Sequence, residues 1–266
     1  MSVILLETAV GGAVVLWASG VWGRVRRGFF LLIGISMALC AAGSWALTRS
    51  VVAAAPGQLE GGTADPTLAA LAGPAGARAV VGLAVLTVLL VLWQVLLLAR
   101  AEAASRVAGL LSAAAGLVAL VLFGLVRQPT VVAAILELLA GAVFLGSTLF
   151  GLLLGHWYLV ERRLSNVYMV RSAWWFIAGV VAAVAAVALS ARNPVQVASG
   201  FNPLLSVPSF SLLLGGGLVA ICAFIAGFVW KLAHEGGRSI QAATGYFYLA
   251  VIMAFSAELA AKFRFF

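Results

Sequence analysis

The chain has 266 residues, of which 64% are hydrophobic and only 9% charged, and its formal net charge is +8. A soluble domain carries roughly a quarter charged residues, so a water-solvated globule is excluded. Apolar runs near the ~20 residues needed to cross hydrocarbon recur along the whole length, which makes this a polytopic membrane protein. Its positive charge is topological, because loop arginines orient membrane proteins. No basic tract with interleaved aromatics offers a nucleic-acid surface.

In chain order, eight spans are predicted at residues 3–22, 29–48, 79–99, 107–126, 131–160, 172–191, 210–232 and 239–262. The expected fold is all-α, one domain over residues 1–266 built as a bundle of eight transmembrane helices. The opening "MSVILLETAVGG" lacks the basic region of a signal peptide and reads as the start of the first helix. Alternate loops divide the cations unequally. Arg24, Arg26, Arg27, Arg100, Arg106, Arg162, Arg163, Arg171, Lys231 and Arg238 share one side. Arg49, Arg78, Arg127, Arg192, Lys262 and Arg264 share the other with the termini. Ten against six, with the richer loops short, puts both termini outside. The expected location is a cell membrane of the bacterial inner-membrane kind.

Two outer segments are longer than turns. In residues 49–78 the stretch "DPTLAALAG" offers Asp65 as N-cap, Pro66 at the first helical position and Gly73 as terminator, which predicts a short surface helix. The second, "RNPVQVASGFNPLLSVPSF", repeats Asn-Pro and predicts two turns along the surface. Neither could bury a core of its own. No internal repeat of the kind that marks inverted-repeat transporters stands out. Cys40 and Cys222 fall inside spans without a CxxC, where cysteine acts as a small apolar packer.

The fifth span carries the most pattern. At about 100° per residue, Glu137, Gly141, Thr148, Gly151 and Gly155 form one stripe, with Val132, Leu139, Val143, Phe150, Leu153 and Trp157 broadly opposite. "GLLLG" has the GxxxG spacing that lets another backbone approach. The glycine stripe should therefore face protein and the bulky stripe lipid. Phe144 among the glycines and Gly146 opposite them are the exceptions. This helix should be central, with Trp157 as an interfacial belt residue.

His156, in "LLLGHWYLVERRLSNVYMVR", falls on the flank between those faces. A histidine there is costly unless partnered, and three readings stay open. It is bonded to a neighbouring carbonyl or acid. It is a haem ligand with His234, from "KLAHEGGRS", as the second axial imidazole of a cytochrome b-type subunit. Or it is part of a quinone headgroup site, in which His156 and Tyr158 supply hydrogen bonds and Glu161 or Arg162 handles protons. Transmembrane electron transfer by bound haems needs at least two, hence more histidines than the 2 present, which disfavours haem b. A quinone is the cofactor candidate, and no covalently bound group is expected.

Glu7, Glu137 and Glu258 are intramembrane acids one to two turns below the outer surface, and such acids mark proton, ion or ligand pathways. Glu258 has Lys262 at i+4, and Glu7 is near enough to the N-terminus to reach water. Glu137 has neither excuse and must find its partner on another helix, so it leads the site candidates. Gln94 is a weaker case, since one amide can be satisfied between helices. No serine elbow, HExxH or phosphate loop occurs. The chain therefore lacks a complete active site of its own.

The closing stretch "GYFYLAVIMAFSAELAAKFRFF", with Glu258 followed by a basic residue and aromatics, resembles the membrane anchor subunits of molybdenum oxidoreductases of the DMSO reductase type. The eight spans, outside termini and scarce histidine add to the resemblance. Lys262 stands where arginine is more usual and Ala261 where glycine is. The resemblance implies a haem-free anchor that binds a quinone and docks a partner subunit. The function expected first is therefore an integral membrane subunit of a respiratory or redox complex, with membrane lipid and other subunits as partners. The alternative is a proton- or ion-coupled transporter using Glu137.

Overall fold

The computed structural model describes residues 1–60, 66–127, 130–161, 163–190 and 210–262. Among them the regular elements are helices: α1 (Ser2–Ala18), α2 (Arg27–Glu60), α3 (Pro66–Ala72), α4 (Pro74–Leu98), α5 (Glu102–Gly124), α6 (Val131–Val160), α7 (Val167–Ser190), α8 (Phe210–Glu235) and α9 (Ser239–Lys262). Seven, α2 and α4 to α9, are long and apolar enough to cross a membrane. The chain is an all-α, multi-pass integral membrane protein.

α1 departs from the expected set of equal spans. Its 17 residues extend about 25 Å at 1.5 Å each, short of the ~30 Å hydrocarbon thickness. Apart from Glu7 and Thr8 its sequence has no polar stripe, the pattern of a helix enclosed by others. α2, α5, α6 and α9 all pack against it, so its backbone is sheltered by protein and its length need not match the bilayer. A Cβ at Gly11 would overlap the Ala142 carbonyl, and one at Gly146 would overlap the Gly11 backbone. Two facing glycines thus let α1 and α6 touch backbone to backbone.

α6 is the most enclosed of the seven long helices, with 67% of its most apolar window buried. Its glycine stripe does face protein: Gly151 lies under the Phe247 ring and Gly155 under Thr244. Of the opposite stripe, Val132 is 72% exposed and Leu139, Val143, Leu153 and Trp157 are half-buried. Phe150 was expected to face lipid and is fully buried, edge-on to Phe29 with centroids 5.9 Å apart. The reason is α1 and α2, which cover this side of α6.

The segment after the second predicted span also differs. α2 continues through Arg49 to Glu60, because the Ala-rich run after Arg49 has high helix propensity and no breaker before Pro56. Arg49 lies over the Trp45 ring, 5.5 Å from its centroid. The predicted surface helix is present as α3, and Gly73 both ends it and precedes Pro74, the first residue of α4. Asp65 and residues 191–209, with most of the Asn-Pro segment, lie outside the described residues. The α8–α9 turn uses Gly236 and Gly237 at φ 69° and 56°, a left-handed pair that glycine adopts without steric penalty. α9 folds back along α8, and its end meets the start of α1, where Lys262 contacts Glu7.

Candidate functional site

Three helices bring their acids to one place. Glu7 sits on the second turn of α1, Glu137 on the second turn of α6 and Glu258 on the last turns of α9. Lys262 Nζ lies 2.9 Å from Glu7 Oε1 and 3.5 Å from Glu258 Oε2. Arg127, in the connection before α6, donates from a terminal guanidinium nitrogen to Glu137 Oε2 at 2.6 Å. All five side chains are at most 9% exposed, and Glu7 is wholly buried. The expectation that Glu7 reaches water is thereby corrected: the Gly141 stretch of α6 and the end of α9 close over it.

Gly141 makes the meeting possible. A Cβ there would lie 2.5 Å from Glu7 Oε1 and 3.0 Å from Glu258 Oε2, so the carboxylates of α1 and α9 converge over a bare stretch of α6 backbone. Glu137, Glu258 and Lys262 also line a cavity of about 20 Å³, closed by Ala183, Val187 and Val219 of α7 and α8. That is room for one water, not for an aromatic ring. Among the described residues, Glu7 Oε2 and Glu137 Oε1 have no hydrogen-bond partner.

Burying an ion costs several kcal/mol unless paired. Here, among the described residues, three carboxylates share two cations. One negative charge is left over, and a proton is the smallest group that removes it. Among the described residues no set of three His, Cys, Asp or Glu side chains is arranged to hold a metal ion.

The other sequence candidates lie toward the opposite end of α6. Glu137 and His156 are 19 positions apart on one helix, about 28 Å at 1.5 Å per residue. His156 Nδ1 is 3.1 Å from the Leu152 carbonyl, and its Nε2 is 2.5 Å from the Tyr248 hydroxyl on α9, with the two rings edge-on. Tyr158, expected to share a quinone headgroup with His156, donates to the Ser165 carbonyl and accepts from the Met169 N–H, which ties α6 to α7. It also lines a crevice of about 620 Å³ between the α6–α7 and α8–α9 connections. Glu161 accepts from the Trp157 indole at 3.1 Å and pairs with Arg26 at 3.4 Å. Trp157 is packed over Gly28 and Phe29, so it braces α6 against α2 rather than merely marking an interface.

His234, exposed at the end of α8, bonds the Trp230 carbonyl at 2.8 Å and packs on that indole. The two imidazoles thus have separate partners. Arg162 lies outside the described residues. Gln94 is buried with neither amide atom bonded among the described residues, pressed against Gly34. Cys40 and Cys222 are free thiols, and Cys222 is buried.

Sequence reasoning missed Arg127, which reads as an ordinary loop cation. The short gap between α5 and α6 was the available signal, since it keeps Arg127 close to the start of the helix that carries Glu137. Comparison with protein-family models, with curated proteins and with solved structures finds no match to this chain.

Proposed function

We propose that this membrane protein handles protons through the buried cluster, as a proton-coupled transporter. Glu137, Glu7 and Glu258 carry the proton, and Lys262 and Arg127 serve as fixed counter-charges. One observation carries the reading: among the described residues three buried carboxylates meet two cations, and the cavity that Glu137, Glu258 and Lys262 line has room for one water. Such a site accepts a proton and rejects an aromatic headgroup. A proton-linked site must be able to hold its carboxylic acid in both states, and a buried carboxylate short of a counter-charge can do so.

Infrared difference spectra across a pH jump around neutrality test this. A carboxylic-acid C=O band should appear in wild type and be lost in at least one of Glu7→Gln, Glu137→Gln and Glu258→Gln. A spectrum with no such band, unchanged by all three, would sink the reading. In liposomes, wild type should carry a proton flux that Glu137→Gln abolishes while still inserting and folding.

A second reading is favoured by the His156–Tyr248 pair. Tyr248 is 48% exposed on α9, so a quinone headgroup arriving through the bilayer would meet a phenol and an imidazole together. This supports a membrane subunit of a redox complex, as the resemblance of the closing stretch implies, with the acid cluster across the bundle as a proton exit. Mild solubilisation should then recover redox subunits with the chain, and Tyr248→Phe should lower quinone-dependent turnover. Recovery of the chain alone, with Tyr248→Phe indistinguishable from wild type, would remove this reading.

A further inference from the structure

Where α1 hands over to α2 and α4 to α5, a second cavity of about 130 Å³ opens at the arginine-rich end of the bundle. Its walls include Arg27, Arg100, Arg106, Trp22, Phe30 and Glu102. Three guanidinium groups face one carboxylate, and among the described residues neither Arg100, Arg106 nor Glu102 has a side-chain ion-pair partner within reach. Arg27 donates to the Leu97 carbonyl at 3.2 Å and has further N–H groups to offer. The Arg106 guanidinium lies beside Gly23, 3.6 Å from where a Cβ would stand.

The apolar wall is a stack: Trp22 lies between Trp17 and Phe30, with centroid separations of 3.9 and 4.3 Å. The Trp22 indole N–H is buried with no partner among the described residues. That N–H is closed off from the cavity, which offers instead the exposed Arg27, Arg100 and Arg106 side chains and an aromatic face beside them.

Arg100 adds an independent observation. It ends α4 at φ 59°, with the Ala101 N–H bonded to the Leu96 carbonyl at 3.1 Å and the Arg100 N–H to the Leu97 carbonyl at 3.2 Å. That is the Schellman ending, whose left-handed position normally falls to glycine. An arginine there holds a disfavoured backbone, and such strain concentrates at functional positions.

We propose that this cavity binds a phosphate-bearing anion, held by the guanidinium groups of Arg27, Arg100 and Arg106 beside the Trp22 and Phe30 rings. Guanidinium matches a phosphate with paired N–H donors. Basic pockets between membrane helices receive anionic headgroups, so the source is either the headgroup of an anionic lipid or free phosphate.

The probe is full-length, delipidated protein in neutral detergent, titrated with phosphatidylglycerol, phosphatidylcholine or inorganic phosphate and followed by native mass spectrometry. Wild type should retain one phosphatidylglycerol in preference to phosphatidylcholine. Arg100→Gly should weaken that retention roughly tenfold, the loss of a charge-assisted bond, without lowering the thermal midpoint, since glycine suits this backbone better. Arg106→Gln should weaken retention comparably, which guards against an accidental effect of the Arg100 turn. Displacement of the lipid by millimolar inorganic phosphate would assign the site to free phosphate, and failure to displace it would assign the site to the lipid headgroup. Equal retention of the two lipids by wild type, together with no response to phosphate, would overturn the proposal. So would unchanged binding in both variants.

Discussion

The two ends of the bundle treat charge in opposite ways. At one end, Glu7, Glu137 and Glu258 meet Lys262 and Arg127 behind walls of α7, α8 and α9, every side chain nearly or wholly buried. At the other, arginines outnumber acids and stay at the surface: the Arg26–Glu161 pair spans 3.4 Å with Arg26 79% exposed. The Lys262–Glu7 pair and the Arg26–Glu161 pair are both carboxylate–cation contacts. What separates them is solvent. Water makes an exposed pair nearly neutral in free energy, whereas a buried partner left alone is an uncompensated ion in a medium that cannot solvate it.

The sharpest way to break this contrast is to remove one buried cation. Lys262→Met should destabilise the detergent-solubilised protein by about 3–5 kcal/mol, seen as a large drop in thermal midpoint or loss of monodisperse protein in size exclusion. Adding Glu7→Gln and Glu258→Gln to that variant should restore much of the loss, because the Arg127–Glu137 pair that remains strands no charge. If the triple variant is worse than Lys262→Met alone, the cluster is not held by charge balance.

Gly141→Val tests the geometry of the same site without touching a charge. The added atoms occupy the space where the Glu7 and Glu258 carboxylates converge, and overpacking of this kind costs about 1–3 kcal/mol. Gly245→Ala, at a position with nothing within 4 Å of a new Cβ, should leave the thermal midpoint unchanged and serves as the control.

Smaller effects are expected toward the other end. Tyr248→Phe removes the phenol bonded to His156 and should cost about 1 kcal/mol, measured by thermal unfolding. Arg26→Ala should change stability by less than about 0.5 kcal/mol, and less again in high salt. A loss from Arg26→Ala as large as that from Lys262→Met would erase the distinction between the two ends.

Much of this was legible along single helices. The burial of the α6 glycine stripe, its central position, the Glu258–Lys262 spacing and the short helix at Pro66 all follow from periodicity, spacing or capping within one segment. The pairing of His156 with Tyr248 was not legible, because Tyr158 is the nearer aromatic in sequence and the hydroxyl in reach belongs to α9. Phe150 was misread for the same reason: periodicity identifies opposite faces of a helix, but it does not say that α1 and α2 would cover the second one.

The sequence by itself determined the class of molecule, since a chain this poor in charge must meet its many apolar runs with lipid or with one another. It also determined which acids would be expensive. Only the tertiary structure decided that Glu7, Glu137 and Glu258 form one site, that Arg127 is the answer to Glu137, and that His156 stands apart from them. Glu7 and Lys262 lie near opposite ends of the chain, and no local rule relates them. Their meeting depends on α1 being enclosed by α2, α5, α6 and α9, a consequence of backbone contact at Gly11 and Gly146 that exists only once the helices have packed.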